Sequence, residues 1–306
     1  MIARSLQHRF APIAVACIAI AIFACMDAIM KSLSIAIGAY NAMLWRTIAG
    51  VILTGPLFLL TGARIPDRAT LKLHIWRSLA AATSVLLFFW GLVRTPMAEG
   101  IALSFIAPLI ALGLAAIFLK ERIGRGAIGG SALAFAGMLV ILASRAGQDS
   151  GDDALHGAIA ILAAAVLYAV NLVLSRSQSQ RAGAVEVAFF FNIVAMGYYS
   201  IASPWLAQLP NISLLPTIIG AAITSSVSIL LLSWSYARAE AQYLIPIEYS
   251  AFIWAALLGW MVFDEPLMLL TLAGAVLIVA GCLWAARRGP TQGKDSTPMT
   301  GPEAAG

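Results

Sequence analysis

The stretch SVLLFFWGLVR, residues 84–94, returns in the same register as SILLLSWSYAR, residues 228–238. The offset of 144 residues holds well beyond these segments and needs no gap. Ala107, Ala111, Leu114, Glu121, Gly130, Leu133, Ala136 and Gly137 meet Ala251, Ala255, Leu258, Glu265, Gly274, Leu277, Ala280 and Gly281. Leucine and alanine coincide readily in an apolar chain, so the weight falls on the rarer matches: Trp90 with Trp234, Arg94 with Arg238, Glu121 with Glu265, and the two glycine pairs. Asp27 meets Asn171 under the same shift. A sustained fixed period of this kind marks a duplicated chain.

Composition says where the copies reside. Of 306 residues, 61% are apolar and 11% charged, against about 25% charged in an ordinary soluble domain. A water-soluble fold of this size could not hide so much apolar side chain. The net charge of +5 and pI near 9.3 do not point to nucleic acid, because nearly all the basic residues fall in short connectors between apolar runs. Cys17, Cys25 and Cys282 lie inside those runs as small hydrophobes, so neither a disulfide nor a metal is expected. Residues 1–26 imitate a signal peptide. Their apolar part is the counterpart of the segment at 155–175, and it reads as a retained first helix.

A helix crosses the hydrocarbon core with about 20 apolar residues, and uninterrupted apolar runs exclude the alternating pattern of a barrel. Spans are expected near 11–36, 40–61, 71–93, 96–118, 126–144, 155–175, 185–206, 213–236, 242–263 and 268–286. With both termini cytoplasmic, the basic connectors fall inside and only Arg94 and Arg145 lie outside, as the positive-inside rule requires. The expected fold is therefore an all-α integral membrane protein of ten transmembrane helices. Five is an odd number, so the second copy enters the membrane from the opposite side and the five-helix repeats are inverted. Residues 1–146 form the first repeat, 147–154 an extracytoplasmic linker, 155–288 the second repeat, and 289–306 a disordered cytoplasmic tail. The cell inner membrane is the expected location.

Inverted repeats give a protein two nearly isoenergetic shapes around a midplane site, which is the physical basis of alternating access. Transport is thus the expected function. No HExxH, GxSxG, Walker A or CxxC arrangement is present, so there is no catalytic apparatus and no cofactor site. The run Gly124-Arg125-Gly126-Ala127-Ile128-Gly129 spells a dinucleotide fingerprint, but that motif needs a preceding strand. Here Gly126, Gly130, Gly137, Gly274 and Gly281 instead set small residues on helix faces for close packing.

Each copy ends with a helix, a glutamate at its membrane exit (Lys120-Glu121-Arg122, Asp264-Glu265-Pro266) and a small-residue helix (Gly129-Gly130 to Gly137, Gly274 to Gly281). With Asp27 to Lys31, Arg46 and Pro246-Ile247-Glu248-Tyr249, this pattern resembles the EamA-type exporters of the drug/metabolite transporter superfamily over residues 10–288. Within it the chain looks most like bacterial aromatic amino-acid exporters. The resemblance implies export of amino acids, metabolites or cationic drugs.

Charged groups inside spans are costly and usually face a cavity or a partner. Asp27 and Lys31, four apart on one helix face, are either a structural ion pair or a cavity-wall pair that meets an amino acid's ammonium and carboxylate. Arg46 either snorkels to the interface or anchors a carboxylate or Asp27. Interface anchoring is expected of His74 and Arg77. Glu99 opens the fourth span, where helix N-terminal stabilisation is one explanation and substrate contact another. Glu248, well inside the ninth span beside Tyr249, is the strongest single candidate for ammonium binding or proton coupling. Trp90 and Trp234 are either interfacial belt residues or gates, one per side. Tyr168, Asn171 and Tyr243 are further candidates on the same wall, and Ser225, Ser226 and Ser228 read as helix-packing residues. The expectation is a monomeric exporter of neutral or aromatic amino acids, in contact only with a small-molecule substrate and lipid. Cationic drug or polyamine efflux is the alternative, and a membrane-embedded lipid-modifying enzyme a remote one.

Overall fold

The computed structural model describes residues 2–62, 65–94, 97–104, 106–118, 124–143 and 152–264, with residues 269, 273–274, 276–278, 280–281 and 284 beyond them. The described residues are helical apart from short connectors. The helices are α1 (Ile2–Ile37), α2 (Ala39–Leu60), α3 (Arg68–Leu92), α4 (Met97–Ser104), α5 (Ile106–Phe118), α6 (Arg125–Ala143), α7 (Asp152–Ser179), α8 (Ala184–Ser200), α9 (Ser203–Leu206), α10 (Leu215–Arg238), α11 (Ala241–Leu244) and α12 (Ala251–Phe263). Five segments, Ala11–Ile37, Ala39–Leu60, Arg68–Leu92, Leu155–Ser179 and Ile212–Arg238, are long and apolar enough to cross a bilayer. Ile106–Phe118, Ala184–Ser200 and Ala251–Val262 are shorter apolar helices. Large apolar side chains such as Ile52, Leu59, Trp76, Trp205 and Met261 stand exposed on the outside of the bundle. A water-facing surface would bury them; a lipid-facing one has no reason to.

Local chemistry sets the helix ends. Asp67 caps α3, its carboxylate accepting from the Ala69 N–H at 3.2 Å. Gly38, at φ +78°, is the single residue between α1 and α2, a backbone conformation that side-chain-bearing residues avoid. One expected span is not a regular α-helix throughout: the segment expected at 242–263 runs as α11, a 3₁₀ stretch over Ile245–Ser250, and α12, and Pro246 brings no N–H there. In the segment expected at 96–118, α4 and α5 flank residue 105, which lies outside the described residues.

The helix contacts come in matched sets. Under the 144-residue shift α3 corresponds to α10 and α7 to α1, and the two most extensive packings are α3 on α7 and α1 on α10. Likewise α5 packs on α7 and α12 on α1, α3 packs on α8 and α10 on α2, and α2 meets its own counterpart α8. Individual bonds follow the pattern: Ser84 donates to the Ala164 carbonyl at 2.8 Å, and its counterpart Ser228 to the Ala19 carbonyl at 2.6 Å. Backbone also comes close to backbone where α6 packs against Gly274 and Gly281. A Cβ on Gly137 would lie 2.6 Å from the Gly274 carbonyl oxygen, and one on Gly281 would lie 2.5 Å from the Gly130 carbonyl oxygen. Residue i meets j′ and j meets i′, the signature of a two-fold relation. The small-residue faces read from the sequence serve this backbone approach.

Candidate functional site

At the centre of the bundle lie two adjoining chambers that share Phe23, Val85, Tyr168 and Leu232 as walls. Space open to the centre of a water molecule is about 110 Å³ in the first and about 60 Å³ in the second. The larger is lined by Asp27, Ser84, Ser104 and Glu248, with Phe88, Phe89 and Pro108 on its apolar side. Arg46, Arg77, Asn171, Ser175, Ser225 and Tyr236 line the smaller, together with Phe191. One chamber carries carboxylates and the other guanidiniums. Four charged groups set in lipid-embedded helices cost on the order of 10 kcal/mol at about 2.5–3.5 kcal/mol each on insertion scales, a cost that packing alone would not select.

Glu248 sits in the 3₁₀ stretch, 7% exposed. Tyr168 of α7 donates its hydroxyl to Oε2 at 3.0 Å, and Tyr236 of α10 donates to Oε1 at 3.4 Å. The unwinding turns the carboxylate inward, where a regular helix would have held it in α-helical spacing with its neighbours. Its counterpart under the repeat, Ser104, is spent on the Ile101 carbonyl at 2.7 Å. Asp27 faces the same chamber and interacts electrostatically with Arg46. The two described residues Asp27 and Lys31 form no ion pair with each other; Lys31 is buried, and it lines neither chamber.

Arg46 is 2% exposed, so it does not snorkel. It donates to Ser225 Oγ, lies against Met43 Sδ at 3.8 Å, and stands 5.9 Å from the Phe191 ring centre. Ser225 is thereby a polar wall residue as well as a packing one. Interface anchoring fails for Arg77 too: it is buried, donates through Nε to Asn171 Oδ1 at 3.0 Å and Ser175 Oγ at 3.2 Å, and lies 5.4 Å from the same Phe191 ring. Arg77 stands ten residues beyond the cap at Asp67, about 15 Å along α3 at 1.5 Å per residue, and that count was available in the sequence. His74 is fully buried, its Nε2 2.9 Å from Glu186 Oε1 and its ring stacked 4.4 Å from Phe190.

The structure brings Asp27, Arg46, Tyr168, Asn171 and Glu248 together, and adds Arg77, Ser175 and Tyr236. It leaves the tryptophans aside. Arg94 lies over Trp90 at 3.6 Å and donates to its carbonyl at 2.8 Å; Arg238 repeats both contacts on Trp234 at 4.2 and 3.1 Å. Neither ring lines a chamber, so the pair serves as matched cation–π clasps. Tyr243 is buried in α11, away from both chambers. Among the candidates, the side chains of Glu99 and Tyr249 lie outside the described residues, as do Glu121 and Glu265. No group of His, Cys, Asp or Glu among the described residues could hold a metal ion.

Apolar helices with lipid-facing exteriors around a central chamber bearing both signs of charge define a multi-pass membrane transporter, not an enzyme. The chain belongs to the EamA-like transporter family, whose model matches residues 11–143 and again residues 155–287, one match for each copy. It is similar to the pseudopaline exporter CntI of Pseudomonas aeruginosa, 26% identical over 266 residues, covering 85% of this chain and 90% of the relative. It also resembles a riboflavin transporter of Brucella anthropi, 23% identical over 80% of this chain and 86% of the relative. A third relative, the S-adenosylmethionine uptake transporter of Rickettsia bellii, is 23% identical over 84% and 87%. One solved crystal structure shares the fold with a TM-score of 0.74 at 18% identity, over 92% of this chain and 99% of that one. These relatives carry varied metabolites, in and out, so the comparisons support the family and not a particular likeness to aromatic amino-acid exporters.

Proposed function

We propose that the protein exports zwitterionic amino acids or closely related metabolites across the cell membrane by alternating access, with the solute held between the two chambers. The observation that carries this is the opposition of Asp27 and Glu248 to Arg46 and Arg77 across the shared walls Phe23, Val85, Tyr168 and Leu232. A carboxylate with spare acceptor sites suits an ammonium, a guanidinium fork suits a carboxylate, and the phenylalanines accept an apolar body. The matched helix contacts and the reciprocal glycine packing support two inverted five-helix repeats spanning the membrane ten times, with both termini cytoplasmic by the positive-inside rule. The 3₁₀ stretch between α11 and α12 supplies a discontinuous helix of the kind on which such sites are built. Two buried arginines beside the carboxylates weigh against cationic drugs or polyamines as cargo.

Radiolabelled amino-acid flux in proteoliposomes tests this reading. Wild-type protein is expected to move zwitterions down their gradient, and Glu248→Gln to lower the flux at least tenfold. Absence of flux for every amino acid, with cells expressing the protein resisting cationic dyes, would hand the assignment to drug efflux.

A further inference from the structure

The guanidiniums of Arg46 and Arg77 line one chamber, and among the described residues neither forms a close ion pair; Asp27 acts on Arg46 through its charge alone. Each lies within 6 Å of the Phe191 ring centre. Their hydrogen bonds go to neutral partners, Ser225 for Arg46 and Asn171 and Ser175 for Arg77. Nε of Arg46 and Nη1 of Arg77 are buried without any acceptor. A buried, charged donor left unmatched is costly, and here two occur on arginines that line one cavity. The fold itself does not require them: under the 144-residue shift Arg46 corresponds to Phe190 and Arg77 to Ala221, so the equivalent places in the other copy hold the same architecture without charge.

One carboxylate would satisfy one fork; two forks call for two. Resting on the reading that the chambers hold an amino-acid-type zwitterion, we infer that the cargo carries a second anionic group, so that the substrate class is amino dicarboxylates whose two carboxylates occupy Arg46 and Arg77 while the ammonium lies toward Glu248 and Asp27. Asn171 and Ser175, which hold the Arg77 fork by its Nε edge, are positioning residues in this arrangement.

Matched probes that differ by one charge test the inference in the full chain: L-glutamate against L-glutamine, and L-4-carboxyphenylalanine against L-phenylalanine. The readouts are thermal stabilisation in detergent and uptake into proteoliposomes. Wild-type protein is expected to prefer the dicarboxylate of at least one pair tenfold or more. Arg77→Gln should abolish that preference, read as the ratio of dicarboxylate to monocarboxylate handling within each variant, and Arg77→Lys, which keeps charge but not the fork, should restore part of it. Equal or stronger handling of the monocarboxylates by wild-type protein overturns the inference and leaves zwitterion export standing, as does a preference unchanged in Arg77→Gln. Failure of all four probes to bind or move overturns both. If Arg77→Gln does not fold, the wild-type comparison and Arg77→Lys still decide.

Discussion

Replacing Gly137 by alanine is a sharp test of the two-fold packing. The added Cβ would stand 2.6 Å from the Gly274 carbonyl oxygen, 2.9 Å from Leu277 Cβ and 3.1 Å from Ile278 Cγ1, where ordinary contact begins at 3.4 Å. Two of those three atoms are backbone or Cβ and cannot swing away, so α6 and residues 274–281 must part by most of an ångström. Overpacking of this kind costs about 1–3 kcal/mol, against a helix-propensity gain for alanine of roughly 0.5–1 kcal/mol. Gly281→Ala should cost a similar amount, since its Cβ would meet the Gly130 oxygen at 2.5 Å and Ala134 N at 2.7 Å. Because one separation of the helices relieves both clashes, the double variant should lose less than the two single losses together. Gly113→Ala in α5 and Gly220→Ala in α10 are the controls: nothing lies within 4 Å of a Cβ at either, so both should be neutral or slightly stabilising. The assay is thermal unfolding of the purified protein in one detergent. Wild-type melting behaviour in Gly137→Ala or Gly281→Ala, or strict additivity in the double variant, would refute the reciprocal contact.

Tyr168→Phe should weaken substrate handling more than Tyr236→Phe, because the first removes a 3.0 Å and the second a 3.4 Å hydrogen bond to Glu248; hydrogen bonds to charged groups contribute about 1.5–3 kcal/mol, so the Tyr168 variant is expected to shift apparent KM in flux assays by roughly tenfold or more. Trp90→Phe and Trp234→Phe should leave flux unchanged and cost about 0.5–1 kcal/mol of stability as the cation–π clasps weaken; lost flux with intact folding would restore the gating role. Asp67→Ala should lower the melting temperature at pH 7. There the hydrogen bond from the Thr70 side chain holds the Asp67 carboxyl below the usual carboxylate range against the opposing effect of burial, helped by the Ala69 and Thr70 backbone and by the charge of Arg181. A depressed carboxyl stabilises the fold fully above its unfolded value of about 3.9 and loses that contribution as pH falls through the lowered value. Wild type and variant should therefore converge in acid, and a difference that persists there would argue against the cap.

The duplication, the helical class and the close-packed glycines were legible in the sequence because they follow from period and residue size alone. What escaped was the 3₁₀ stretch inside one span: Pro246 was visible, but apolar continuity across 242–263 outweighed it. The site was half legible. Asp27, Arg46, Tyr168, Asn171 and Glu248 announce themselves as polar groups in apolar helices, whereas Arg77 passed as an interfacial anchor because its depth follows from where α3 begins, which Asp67 decides. Trp90 and Trp234 carried two readings, interfacial belt or paired gate; each is taken up by an arginine one turn along its own helix.

The connection between α1 and α2 is a single residue, hydrogen-bonded on both sides: the Gly38 N–H donates to the Ser34 carbonyl, and the Gly38 carbonyl accepts from Ala42. Two long rods joined through so short an elbow have almost no slack, so Asp27 on one and Arg46 on the other are tied mechanically as well as by charge. Any rocking that opens a route past them must carry this pair as one lever and spend its bending elsewhere in the chain. The 3₁₀ stretch around Glu248, where the regular α-helical ladder is broken, is where such bending costs least.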